Sequence, residues 1–201
     1  MVRAVGNEAD LLGRLREHDE TAFVELVEAY HTRLVRFAQT FVSSGPAAED
    51  VAQDTWVAVI KGLERFEERS SLQTWLFRIC ANRARTRSGI DYRLLPIGAP
   101  GATVGRDHFD SKGAWIDPPE PWPDIDDRLA AATLAPLALA AIDDLPEPQR
   151  QVVTLRDVEG LSSQETCEVL SISEANQRVL LHRARTRVRA AIAPASRGGS
   201  T

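Results

Sequence analysis

Apolar positions recur at spacings of three and four along two separate stretches of this chain and lose that rhythm between them. In the first stretch, Phe23, Leu26, Val27, Tyr30, Leu34, Phe37, Ala38 and Phe41 make one continuous apolar stripe, the signature of an amphipathic helix. Asp19 or Thr21 stands where a side-chain oxygen caps the first backbone N–H groups. Gly45-Pro46 ends the stripe, and Pro46 is tolerated in the first turn of the next helix. That helix carries Val51, Thr55, Trp56, Val59, Ile60 and Leu63. A third is predicted from a Ser70-Ser71 cap, with Leu72, Trp75, Leu76, Ile79 and Cys80 inward; both Trp56 and Trp75 are assigned mainly to the core. Three such helices with short connections predict an antiparallel bundle over residues 10–88, behind a short tail at 1–9.

The second rhythmic stretch covers 129–193 and precedes a tail at 194–201. Pro136 interrupts its first helix or begins a new one. Leu145-Pro146-Glu147-Pro148 reads as a turn that opens a helix bearing Val152, Val153, Leu155 and Val158, and Gly160 suits the left-handed residue after a helix end. Ser162 with Glu165 forms a capping-box pattern. That helix is predicted to end near Leu170, and Ser171-Ile172-Ser173 makes a short turn. Ser173 then caps a long helix through Leu181, Ala184, Val188 and Ile192. The predicted fold is therefore all-α: two small helical bundles joined by a flexible acidic linker, the C-terminal one containing a helix-turn-helix.

Between the two, residues 89–128 hold Pro96, Pro100, Pro118, Pro119, Pro121 and Pro123 and carry 8 acidic side chains against 4 basic ones. This composition predicts an extended linker without a core of its own. Trp115 and Trp122 are unusual there, as anchors on a neighbouring domain or as contacts awaiting a partner. The linker also accounts for most of the net charge of −5. The distribution matters more than the total: no acid follows Glu174, whereas Arg178, Arg183, Arg185, Arg187, Arg189 and Arg197 do. A basic final helix on an acidic chain points to a directed DNA contact.

Other chemistries find little support. No run approaches the roughly 20 apolar residues a bilayer crossing needs, and the first residues lack an apolar signal-peptide core, so a cytoplasmic protein without membrane insertion is expected. Cys80 and Cys167 sit inside helical apolar patterns, with no CxxC and no nearby His, and read as buried structural thiols. His18, His31, His108 and His182 are scattered, and no phosphate loop, nucleophile elbow or zinc motif occurs. No cofactor, metal or catalytic residue is expected.

Residues 161–189 have the spacing of a helix-turn-helix, whose second helix enters the major groove by its N-terminal part. Arg178, His182 and Arg183 share one face of it. Arginine holds guanine bidentately or pins phosphates, and the Ser162 end of the first helix offers backbone N–H groups to a phosphate. Periodicity and charge alone leave open an ordinary helical hairpin with a solvated arginine face, or a regulator with a sensing bundle at its N-terminus.

Longer motifs narrow the choice. Ala48-Glu49-Asp50-Val51-Ala52-Gln53-Asp54-Thr55-Trp56, the run from Phe66 to Arg83, Asp144-Leu145-Pro146 with Gln149-Arg150, Leu155 through Ser162, and Leu181-His182-Arg183-Ala184-Arg185 together resemble the extracytoplasmic-function (ECF) group of sigma-70 factors of bacterial RNA polymerase. The resemblance implies a non-enzymatic specificity subunit. Its partners would be the largest and second-largest subunits of core polymerase, promoter DNA and an anti-sigma factor.

It further implies that Asp50, Gln53 and Asp54 present a polar face to a polymerase coiled coil. Ser70, Ser71 and Asn82 would read the unpaired minus-ten strand, with Arg83, Arg85 and Arg87 on its backbone. Ser173, Asn176, Gln177, Arg178, Val179, His182 and Arg183 would meet the minus-thirty-five element, and the linker would thread polymerase channels. Two departures stand out. Relatives carry Gly where this chain has Ser171, a cost on the order of 1 kcal/mol if the position is left-handed. Val179 and Leu180 also replace polar groups in the reading head, so a base-contact code cannot be borrowed.

Overall fold

The computed structural model describes residues 8–89 and 128–197, with side chains in the second range from 135 to 193. Residues 90–127 lie outside it, with Trp115, Trp122 and nearly all of the expected linker. All regular structure among the described residues is helical, and it forms two compact units.

The N-terminal unit comprises α1 (Glu8–Arg16), α2 (Glu20–Ala38), α3 (Gly45–Gly62) and α4 (Leu72–Ser88), with a single tight turn at Leu63–Arg65. Caps set the boundaries much as the sequence predicts. Asp19 accepts hydrogen bonds from the backbone N–H of Thr21 and Ala22 at 2.8 and 3.3 Å. Ser44 accepts from Ala47 at 3.2 Å, with Pro46 in the first turn of α3. Ser71 accepts from Thr74 at 3.2 Å, and Gly89 closes α4 with φ +69°. Each cap satisfies an N–H or C=O that the helix itself leaves without a partner.

Leu26, Leu34 and Phe37 from α2, Val51 and Val59 from α3, and Leu72, Leu76 and Phe77 from α4 fill the core between these helices. Phe37 meets Phe41 and Phe77 edge-to-face at 5.2 and 5.3 Å. Burying each such side chain contributes roughly 1.5–3 kcal/mol, which is why this stripe defines the unit. Cys80 lies in the same core, where loss of hydration pushes its thiol up to about 12.

Two expectations change. Ile60, counted on the apolar face of α3, is 59 % exposed. Helix α1 was not predicted separately, yet Leu11, Leu12 and Leu15 bury it on the bundle. Nine residues give too few turns for a periodic stripe to stand out.

The C-terminal unit comprises α5 (Arg128–Asp143), α6 (Glu147–Val153) continued by a wider π-type turn at Thr154–Val158, α7 (Ser163–Leu170) and α8 (Glu174–Arg197). Helix α5 runs through Pro136 instead of breaking there. Val152, Val153, Leu155, Leu161, Leu181, Ala184 and Val188 are buried, and α8 packs on both α5 and α6. Gly160 is left-handed at φ +76°. The capping box forms as written: Ser162 N–H donates to Glu165 Oε2 at 2.8 Å, and Glu165 N–H donates to Ser162 Oγ at 3.2 Å. Cys167 is half-buried, more exposed than expected, and neither cysteine is in a disulfide.

Candidate nucleic-acid interface

On α3, Asp50, Gln53 and Asp54 are all exposed and lie at i, i+3 and i+4, so they form one polar face. Behind it, Val51, Thr55 and Trp56 are buried; Thr55 Oγ1 donates to Val51 O at 2.7 Å. Trp56 Nε1 donates to His31 Nδ1 at 3.2 Å, and His31 Nε2 lies 3.2 Å from Glu49 Oε2. These contacts fix the rotation of α3 on α2 and so which residues face outward. They also place the ring proton of His31 on Nε2, because Nδ1 is occupied as an acceptor.

The second group gathers at the connector before α4 and along α4. Ser70 and Asn82 line an open cleft of about 320 Å³ together with Arg65, Phe66, Glu67, Arg69, Trp75, Arg78 and Ile79. Phe66 and Trp75, both in its lining, pack against each other with ring centres 4.7 Å apart and planes tilted by 31°. Gly62 lies against that pair, where a Cβ would meet Trp75 at 3.2 Å. Trp75, expected mainly in the core, is only half-buried and also lines the cleft. Glu68, at the outer edge of the connector, is left-handed with φ +54°, a conformation that costs a non-glycine residue roughly 1–2 kcal/mol.

Ser71 lies outside the cleft lining, its hydroxyl engaged with Thr74 N–H and, at 2.8 Å, with Thr74 Oγ1. Arg83 is exposed, and Arg85 donates to Asn82 Oδ1 at 3.3 Å. Arg87 pairs with Asp50 at 2.6 Å, a contact that joins two predicted groups. Sequence reasoning missed Arg65, Arg69, Phe66 and Arg78 as cleft residues. Arg78 was findable, since it stands three after Trp75 and four before Asn82, on one helix face.

The third group lies on the α7–turn–α8 segment. Ser171 is left-handed at φ +55°, the geometry that favours Gly at this point. Ser173 accepts from Asn176 N–H at 3.3 Å and caps α8. Asn176, Val179, His182 and Arg183 are half-buried on α8, and Arg178 is exposed and paired with Glu174 at 3.0 Å.

Gln177 is the correction in this group. It is only 2 % exposed, and its Oε1 accepts from Ser163 Oγ at 3.0 Å, so it packs α8 onto α7 and is not presented to bases. At the Ser162 end of α7, where backbone N–H groups were expected to face a phosphate, the N–H of Ser162 donates to the Glu165 carboxylate and that of Glu165 to the Ser162 hydroxyl. Two of the trailing arginines are also structural. Arg185 grips Asp157 through two hydrogen bonds of 2.9 and 2.6 Å, and Arg187 donates to Gln149 at 3.1 Å. The Asp157 contact raises Arg185 further above its ordinary range.

Residues 26–88 match the family Sigma-70 region 2, and residues 137–188 match Sigma-70, region 4. The ECF RNA polymerase sigma-E factor of Escherichia coli strain K12 is 28 % identical over 175 residues, covering 87 % of this chain and 88 % of that protein. The protein of the same description from Haemophilus influenzae is 27 % identical, covering 92 and 94 %. Among solved structures, CnrH in complex with the cytosolic domain of CnrY superposes with a TM-score of 0.56 at 24 % identity, covering 93 % of this chain and 97 % of that one. The sigma factor RpoE of Bartonella quintana, in complex with the anti-sigma factor NepR, gives 0.55 at 23 %, covering 85 and 96 %. Both show the same fold.

Proposed function

We infer from this chain's sites how it works as a member of the ECF group of the sigma-70 family, to which it belongs. It binds core RNA polymerase, directs it to promoters and promotes melting for initiation. The carrying observation is the ordered pair of matches, Sigma-70 region 2 over residues 26–88 and region 4 over residues 137–188.

The roles of individual residues follow from their placement. The exposed Asp50–Gln53–Asp54 face takes the polymerase subunit, because its side chains are polar, unburied and gathered on one face of α3. The cleft takes a base extruded from the non-template strand: Phe66 and Trp75 offer a stacking surface, Ser70 and Asn82 offer polar edges, and Arg65, Arg69 and Arg78 face the backbone. Unstacking a base costs a few kcal/mol, and stacking on an aromatic side chain returns about 1–3 kcal/mol. Melting in this scheme needs no nucleotide hydrolysis, so the chain is not an enzyme. Asn176, Val179, His182 and Arg183 remain as duplex readers on α8, with Ser173 and Arg178 at its entry.

The reading extends to place and control. No helix among the described residues is long and apolar enough to cross a membrane, which fits work on cytoplasmic DNA. CnrH and the Bartonella RpoE were solved with CnrY and NepR, and an inhibitor of that kind would compete with core polymerase for this chain. Run-off transcription with purified core polymerase tests the whole reading. Promoter-dependent transcripts are expected, and failure of the chain to bind core polymerase would sink it.

A further inference from the structure

Helix α1 lies outside the residues that match region 2, which begin at Leu26. Yet it holds the connector between the turn at Leu63–Arg65 and α4 at both ends. At the entry, Arg16 Nη2 donates to Phe66 O at 2.9 Å and pairs with Glu68 Oε1 at 2.8 Å. At the exit, Glu8 Oε1 accepts from Leu72 N–H at 2.6 Å, the first residue of α4. Between these two points lie Glu67, Arg69 and Ser70, all of them cleft residues.

Helix α1 is itself anchored elsewhere. Leu11, Leu12 and Leu15 are at most 4 % exposed. On another side Arg14 reaches Asp19 at 2.9 Å, Thr21 at 3.0 Å and Glu25 at 3.1 Å, which ties α1 to the start of α2. A connector that contains a left-handed glutamate needs surroundings that hold it in that shape. The Arg16–Glu68 ion pair acts on that residue itself.

We propose that α1 is a clasp that sets the shape of the base-capturing connector, with Arg16 and Glu8 as positioning residues for minus-ten recognition. They touch no DNA; they fix Phe66, Glu68 and Leu72, and through them the cleft wall. The inference rests on the cleft being the minus-ten site.

The test uses holoenzyme assembled from core polymerase with the parent chain, Arg16→Ala, Arg16→Lys or Glu8→Ala. Each transcribes a promoter found by mapping transcript starts, and the same promoter with one altered minus-ten base pair. The parent should lose about tenfold on the altered template, the usual scale for one wrong base pair. Arg16→Ala and Glu8→Ala should transcribe the intact promoter poorly and lose only about twofold more on the altered one. Arg16→Lys, which keeps the charge beside Glu68, should fall between. Core affinity and melting temperature should stay near the parent's.

Equal discrimination by parent and variants overturns the clasp, as does an equal fall on both templates. If Arg16→Ala proves unstable, Glu8→Ala, which removes only the exit contact, decides alone. A parent that neither binds core polymerase nor transcribes sinks the sigma-factor reading itself. An active parent with indifferent variants sinks only the clasp.

Discussion

Arg87 Nη2 donates to Asp50 Oδ2 at 2.6 Å while 45 % of the arginine side chain and 51 % of the aspartate side chain stay exposed. The two residues come from faces assigned to different partners, Asp50 to polymerase and Arg87 to DNA. An exposed pair of this kind stabilises by about 1 kcal/mol at most, so either partner can take its half. Arg87→Ala should therefore leave the melting temperature almost unchanged. It should weaken promoter binding and tighten core binding by no more than about fivefold, the equivalent of 1 kcal/mol. Titration with fluorescently labelled core polymerase reads the second effect, and weaker core binding would show that Arg87 does not compete for Asp50.

Gln177 divides a packing role from a reading role. Its amide is buried and tied to Ser163. Truncation to Ala opens a void and leaves the Ser163 hydroxyl without this acceptor, at about 1–3 kcal/mol. Gln177→Ala should lower the denaturation midpoint of the full chain. Its preference among minus-thirty-five sequences should be unchanged at matched folded concentration. A change in base preference at one position without loss of stability would restore Gln177 as a reader.

The contrast with Asn176 shows where sequence reading stopped. Both are amides at the head of the same helix, and composition cannot say which one turns inward; only the crossing of α7 over α8 does. Helix starts were legible, because Asp19, Ser71, Ser162 and Ser173 each cap locally through N–H groups two or three positions ahead. The apolar stripes were legible for the same local reason. Arg185 was not, because its partner Asp157 lies 28 residues away and no periodic pattern encodes that pairing. The cleft was half legible: Ser70 and Asn82 were named from the family resemblance. Arg65 and Phe66 enter only because the tight turn at Leu63–Arg65 folds them beside Trp75.

Ser171 offers a stability test at the turn of the helix-turn-helix. At φ +55° its Cβ carries a left-handed penalty of roughly 1–2 kcal/mol, and glycine would escape it. Glycine also gains freedom in the unfolded chain, an opposing effect of about 0.4–1 kcal/mol. Ser171→Gly should thus stabilise by about 0.5–1 kcal/mol, the difference between the two. Ser171→Val, β-branched at a positive φ, should destabilise. Guanidinium unfolding of the full chain separates the two directions, and a glycine variant no more stable than the parent would mean that the strain at Ser171 does not exceed the unfolded-state effect.

Asp19 gives the fold an acid-sensitive cap. Its carboxylate accepts from the Thr21 hydroxyl at 2.6 Å, meets Arg14 at 2.9 Å, and accepts from two backbone N–H groups of α2. The Thr21 bond first, and the Arg14 contact next, hold the carboxyl at about 2, down from 3.8. A lowered value in the folded chain means that its stabilising contribution is complete above the unfolded value and fades as pH falls through the folded one. Asp19→Asn keeps an oxygen for the N–H groups but cannot titrate and carries no charge toward Arg14. At neutral pH it should melt somewhat lower than the parent. Between about pH 4 and pH 2 it should lose less of its melting temperature, because one linked proton is gone. Thermal melts of both proteins across that window check the difference in slope, and parallel curves would remove Asp19 from the acid response.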